Sequence, residues 1–146
     1  MLRTEPVSAE TLADWAALRF ALWPEEGLIE EAAGWLATSD PNQRNLVARI
    51  DNGRVVGFAE AALRHDYVNG TSTSPVVFLE GIYVSPYHRG RGAAAALVEA
   101  IADWGRAQGC TEFASDALLD DVDSHAFHRA VGFAEQERVV YFCKPL

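Results

Sequence analysis

Cysteine is scarce in this chain of 146 residues. The two present, Cys110 and Cys143, have no metal-ligand or CxxC spacing, so they argue neither for a thiolate metal site nor for a redox pair. Both are expected to be reduced residues at strand ends. Long apolar runs are missing too. No stretch approaches the roughly 20 apolar residues of a membrane helix, and the opening Met1 to Leu12 lacks the apolar centre of a signal peptide. No membrane partner is expected, and a cytoplasmic location is. Basic charge is short: the formal net charge is −9. Phosphate contacts need a basic surface, so nucleic acid is an unsuitable partner. The excess of acid would steer a cationic substrate, and it would equally serve plain solubility. Linkers, repeats and low-complexity tracts are absent as well, and with 49% apolar residues one domain over 1–146 can bury a core of its own.

Helix and strand patterns alternate along what is there. Ser8 can cap a helix with Leu12, Trp15, Leu18 and Leu22 on one face, stopped by Pro24. A second helix is expected over Glu26 to Ala37. Leu46 to Ile50 and Val55 to Leu63 flank Asn52-Gly53, the strongest hairpin signal in the sequence. Val76 to Val84 is apolar on both faces and reads as a central strand. A helix from Gly92 to Gln108 buries Leu97, Ile101 and Trp104 and ends at Gly109. Thr111 to Ser115 reads as a strand, Ser124 to Val131 as a helix capped by Ser124, and Val139 to Cys143 as a last strand. The fold class is α/β: one mixed, mostly antiparallel sheet with helices on both faces.

The junction after the central strand carries the chemistry. Ser85-Pro86 breaks the strand, and Arg89, Gly90, Arg91, Gly92, Ala93 and Ala94 lead into a helix. Small residues let the backbone approach a ligand, helix-start N–H groups donate to anions, and arginines add charge; a pyrophosphate suits such a turn. The glycines do not make GxGxxG, and no Gly-Lys-Ser/Thr follows. The run Arg89-x-x-Gly92-x-Ala94 resembles the coenzyme A turn of the GNAT acetyltransferase superfamily. Gly132-Phe133 downstream resembles a second part of that pattern. There His128 stands where the superfamily often has a tyrosine that protonates the leaving thiolate, and Asp121 stands where it often has asparagine. His128 can act as an imidazolium acid, or it can be a partly buried helix histidine.

A larger resemblance runs through nearly the whole chain. Leu22-Trp23-Pro24, Arg64-His65-Asp66-Tyr67-Val68-Asn69-Gly70, Ser74 to Ile82, Ala114-Ser115-Asp116 and Glu137-Arg138-Val139 are similar to the aminoglycoside 6'-N-acetyltransferases. The tract after Pro24 differs from that family. The resemblance implies acetyl-CoA as co-substrate, no metal, and a homodimer. It also implies an aminoglycoside pocket lined by Trp23, Tyr67, Glu80, Asp116 and Glu137. Ile82, Tyr83 and Val84 would form the strand edge that pairs with the pantetheine arm, and residues 89–94 the pyrophosphate turn, with Asp121 nearby.

The residue chemistry agrees. An ammonium group must lose a proton before it can attack a thioester, and a carboxylate can take it. Glu80 is the lone acid of an apolar strand; inward, it needs a cation or donors in answer. The other reading is an acid turned outward at a bulge beside Gly81. Gly81 can also splay the sheet, so that a backbone N–H near Ile82 meets the thioester oxygen. Asp116 ends a strand, where α/β sheets place ligands, although a turn-forming acid would look the same. Trp23 and Tyr67 offer rings for sugar faces or ammonium groups; as alternatives, Trp23 packs a helix end and Tyr67 decorates a loop. Glu137 can be simply solvent-facing. Three functions follow: acetyl transfer to an aminoglycoside, acetyl transfer to another cationic amine such as a polyamine or a protein N-terminus, or acyl-CoA binding without catalysis.

Overall fold

The Asn52-Gly53 turn does what its sequence demands. In the computed structural model, which describes residues 1–25 and 28–146, Gly53 takes the left-handed conformation (φ 81°) that a tight hairpin requires. It joins β2 (Gln43–Arg49) to β3 (Val55–Arg64) antiparallel. A strand not foreseen, β1 (Arg3–Pro6), adds antiparallel to the far side of β2. On the other side β4 (Val76–Val84) pairs antiparallel with β3, and β5 (Phe113–Ala114) pairs parallel with β4. The sheet therefore runs β1-β2-β3-β4-β5 and is mixed, as expected.

Helices cover both faces. The helix α1 (Leu12–Leu22) and α2 (Ile29–Thr38) lay Trp15, Ala16 and Ala32 against Val47 and Phe58. From the opposite face α3 (Ala93–Ala107) buries Leu97 and Ile101 completely against Leu46, Ala59, Val77 and Leu79. The last helix, α4 (Val122–Ala130), follows β5. Pro24 does end α1, whose last residue is Leu22.

Three local expectations change. Ser8 does not cap α1: its amide donates to Thr11 Oγ1 at 2.9 Å, a turn that delays the helix to Leu12. Ser124 does not cap α4 either. Asp121 does, accepting from the Ser124 amide at 3.1 Å, because the helix starts at Val122, two residues before Ser124, and puts the carboxylate at the cap position. The second helix begins at Ile29 and not at Glu26; Glu26 and Gly27 lie outside the described residues.

The larger correction is at the C-terminus. Val139 to Cys143 is not a strand, and residues 133–146 carry no helix or strand. Val140, Tyr141 and Phe142 are 74%, 79% and 93% exposed. An apolar, β-prone run makes a strand only where a neighbour supplies ladder hydrogen bonds. The edge strand β5, two residues long, offers almost none. Cys143 is accordingly exposed on this segment, while Cys110 is buried between α3 and β5; neither ends a strand.

Candidate active site

The glycine turn has the geometry of an anion site. A single 3₁₀ turn over Pro86–His88 leads from β4 to Gly90 and Gly92, both left-handed (φ 76° and 89°), and α3 then starts at Ala93. Nothing lies within 4 Å of where a Cβ would stand on either glycine, so the backbone is open to a ligand. The first turn of α3 contains no acid, and its unpaired N–H groups point outward from the positive end of the helix. Arg91 is exposed. Arg89 is partly committed: its Nε donates to the Val84 carbonyl at 2.8 Å, and its guanidinium lies 5.2 Å from the Tyr83 ring centroid. It ties turn to strand and leaves its outer nitrogens for charge. This donor set fits the pyrophosphate of coenzyme A.

The sheet is splayed next to the turn. The β4–β5 pairing has only two registers, Val77 with Phe113 and Phe78 with Ala114. Among the described residues, β4 from Leu79 to Val84 has no strand neighbour on that side, which leaves the edge at Ile82, Tyr83 and Val84 free. A bulge adds to this. Glu60 pairs with Gly81 and Ala61 with Leu79, so Glu80 is the extra residue. The facing slips by one across it: Val77 and Leu79 reach the α3 core before the bulge, Ile82 and Val84 after it.

Glu80 therefore does not point into the core. Of the two sequence readings, the outward acid at a bulge is the one found: its side chain is 39% exposed, and Arg64 Nη2 donates to both carboxylate oxygens, at 2.9 and 3.1 Å. Arg64 also lies over the Phe78 ring at 3.7 Å. Two of the other candidates lie next to the bulge, and two lie on segments that meet each other. Ser115 Oγ is 3.3 Å from the Leu79 carbonyl, which sets Asp116, exposed, alongside the bulge. The Trp23 indole lies against Gly81, where a Cβ would stand 2.2 Å from ring atom Cη2. Tyr67, 77% exposed, rides on a loop anchored by buried Val68. That loop meets the C-terminal segment at Gly70, 3.0 Å (as a built Cβ) from Gln136, next to exposed Glu137. Asp121 is engaged as the α4 cap.

His128 is half-buried on α4. Its Nδ1 is 2.7 Å from the Ser124 carbonyl, which can only accept, so Nδ1 carries a proton. Its Nε2 is 2.9 Å from Ser115 Oγ. A neutral ring accepts there. An imidazolium donates, and then frees the serine hydroxyl to donate to Leu79 O. His128 thus reaches the open edge of β4 through one hydroxyl.

Sequence reasoning missed Ser115 and Arg64 in these roles. It also missed Glu60, the lone acid of β3, which is 3% exposed and does have the inward position expected of Glu80. The same signal, one acid in an apolar strand, marked both. Burial and hydrogen bonding pull against each other at this carboxyl: desolvation raises its pKa above the ordinary range, and Arg19 and Trp15 draw it part of the way back.

Known proteins resemble the chain in sequence and in shape. The Acetyltransferase (GNAT) family model matches residues 9–133. An aminoglycoside N(6')-acetyltransferase type 1 of Stenotrophomonas maltophilia is 52% identical over 135 residues, 92% of this chain and 87% of that one. The crystal structure of the aminoglycoside antibiotic 6'-N-acetyltransferase AAC(6')-Ih from Acinetobacter baumannii superposes with a TM-score of 0.93 at 44% identity, covering 100% of this chain and 99% of the other. AAC(6')-Iy in complex with a bisubstrate analogue, CoA-S-monomethyl-acetylneamine, gives 0.92 at 38% identity, with 100% and 99% covered.

Proposed function

The chain belongs to the GNAT acetyltransferase family, and on that premise we propose that it moves an acetyl group from acetyl-CoA to the 6'-amino group of aminoglycoside antibiotics, conferring resistance. One observation carries the reading. The bulge sets an outward carboxylate, Glu80, at the point where β4 loses its neighbour, so acid and free strand edge adjoin. Acetyl-CoA supplies a thioester, an acyl group activated toward amines. Residues 89–94 hold its pyrophosphate, and Ile82 to Val84 offer their edge to its arm, with a backbone N–H at Ile82 turned to the acyl oxygen.

The other side chains handle the acceptor and the protons. Trp23, Tyr67, Asp116 and Glu137 border the acceptor, where acids and ring faces suit a polyamine sugar. Glu80, helped by Asp116 or a water, takes the proton from the ammonium group. The amine nitrogen forms the amide bond as the carbon–sulfur bond breaks and sheds its second proton to water, while His128, as an imidazolium, gives a proton through Ser115 to the departing sulfur and is reprotonated from solvent. Every residue keeps its covalent structure throughout, and no metal is needed.

We take residues 1–146 as one domain, a reading supported by β1, which precedes the matched segment and is hydrogen-bonded into the same sheet. We place the enzyme in the cytoplasm, where its acyl donor is made, and expect a homodimer. The exposed run Val140-Tyr141-Phe142 supports the dimer, since a second copy would bury it. Light scattering should give twice the chain mass, and replacing Tyr141 and Phe142 by serine should halve it.

The decisive assay is acetyl-CoA consumption with kanamycin or tobramycin against a panel of polyamines and peptide amines. Drug turnover with Glu80→Gln strongly impaired is expected. Far higher efficiency on another amine would move the acceptor assignment. Coenzyme A binding with no transfer to any amine would make the chain a non-catalytic binder.

A further inference from the structure

Among the described residues, the most deeply buried charges lie directly beneath the bulge. Arg19 is 2% exposed and Glu60 3%, in an apolar layer that includes Trp15, Ala16, Ala32, Val47 and Phe58. Trp15, Arg19 and Trp23 recur every four residues along α1 and its end, so they share one face. Arg19 Nε donates to Glu60 Oε2 at 2.6 Å, and Trp15 Nε1 donates to the same oxygen at 2.9 Å. Arg19 Nη2 reaches Glu31 at 3.3 Å. Three indoles enclose the guanidinium, with its carbon 4.4 Å from the Trp35 centroid, 5.4 Å from Trp23 and 5.9 Å from Trp15.

Trp23 belongs both to this enclosure and to the surface above it. One side of the ring meets the guanidinium, an edge meets Phe58 at 5.9 Å, and its far end rests on Gly81. Glu60 is the β3 residue whose Cα pairs with Gly81. A single chain of contacts therefore runs Glu60, Arg19, Trp23, Gly81, with Glu80 as the next residue. Apolar side chains of similar volume fill a buried space at least as stably as an ion pair does. They do not fix the plane of an indole, as a charge over its face does.

We propose that Arg19 and Glu60 are positioning residues for the acceptor side of the reaction. They set the Trp23 indole against the Gly81 step and so fix the wall beside Glu80. This rests on the reading of Trp23 and Glu80 as bordering the acceptor. It assigns no contact with acetyl-CoA to either residue.

The test replaces the pair with apolar groups, Arg19→Met with Glu60→Leu, in the full chain. Its two readouts are steady-state kinetics and the ¹⁹F spectrum of protein labelled with 5-fluorotryptophan, the Trp23 line assigned by Trp23→Phe. The expected variant melts close to the parent and keeps its KM for acetyl-CoA. Its aminoglycoside KM rises roughly tenfold or more, and the Trp23 line shifts or broadens. Parental aminoglycoside KM and an unmoved Trp23 line would overturn the proposal. Should the double variant not fold, Arg19→Lys takes its place, since it keeps the charge and loses the planar stack; the same two outcomes decide. Absence of drug turnover in the parent would defeat the function proposed above, and the Trp23 line would still decide this one.

Discussion

Gly81→Ala adds one methyl group where the bulge and the tryptophan meet. Its Cβ would stand 2.2 Å from Trp23 Cη2, 2.3 Å from Cζ2 and 3.4 Å from Leu22 Cδ2. Carbon atoms rest at about 3.5 Å or more, so the ring must retreat by roughly 1.3 Å. It cannot retreat inward, because Phe58 is fully buried behind it and Arg19 lies beside it. Outward lies the surface next to Glu80. Overpacking of this kind costs about 1–3 kcal/mol, which in a domain of this size lowers the melting temperature by roughly 3–10 °C. The kinetic effect should be one-sided. In the proposed site, an acceptor wall displaced by about 1 Å raises the aminoglycoside KM tenfold or more, while the acetyl-CoA KM, which the proposal assigns to residues 89–94, stays near the parental value. Thermal melting and kinetics with each substrate varied in turn measure both. In a Trp23→Ala background the added methyl should cost little further melting temperature, and the acceptor defect should remain. If Gly81→Ala melts like the parent and binds the drug normally, the ring does not occupy this step, and the Glu60-to-Gly81 chain of contacts has no functional meaning.

Four further outcomes follow from the same geometry. Gly105→Ala, whose Cβ would stand 2.8 Å from Val77 Cγ1, should destabilise the α3–β4 contact by about 1–3 kcal/mol without an acceptor-specific KM change, checked by melting and kinetics together. Ser115→Ala should cut kcat by roughly tenfold to a hundredfold and change the pH–rate profile, with KM values kept, because it removes the link between His128 and the open edge. Glu112 has its pKa lowered, first by the Thr73 hydroxyl and then by the Ser72 amide, so its hold on the loop is present above the ordinary carboxyl range and lost as pH falls through the lowered value; amide exchange at Ser72 and Thr73 should quicken there, and at all pH in Glu112→Ala. Glu60 has the opposite sign. Its raised native pKa means that the unfolded chain ionises first, so stability declines as pH climbs from the ordinary carboxyl range to the native value, and denaturant melts should lose that slope in Glu60→Gln.

Most of the fold was legible because its signals are local. Asn52-Gly53 fixed one hairpin, the apolar run gave β4 its observed limits of Val76 and Val84, and Gly92 and Gly109 bracketed α3. What the sequence did not reveal depends on neighbours. The four residues of β1 carry no periodicity of their own and are strand only because β2 lies beside them. The tail carries a strand pattern and makes none, because a pattern states a preference and a ladder needs a second backbone. Asp121 took the α4 cap from Ser124 because the helix starts at Val122, a boundary that both residue types could mark in sequence.

The site was legible in its parts and misread in its depth. Glu60 and Glu80 look alike in sequence, each one acid in a run of apolar residues. Register separates them: the bulge turns Glu80 outward, and the unbroken stretch of β3 keeps Glu60 inward, facing α1. The rule that an inward carboxylate needs an answering cation held, but for the other residue, and the cation is Arg19, one helical turn after Trp15. Both carboxylates bear on the same few ångströms of surface, Glu80 by standing on it and Glu60 by holding, through Arg19, the indole at its edge. If Glu80 and Trp23 border the acceptor as proposed, this arrangement ties the acceptor side to the core, and substitutions in the tryptophan layer should register in acceptor kinetics before they register in donor binding.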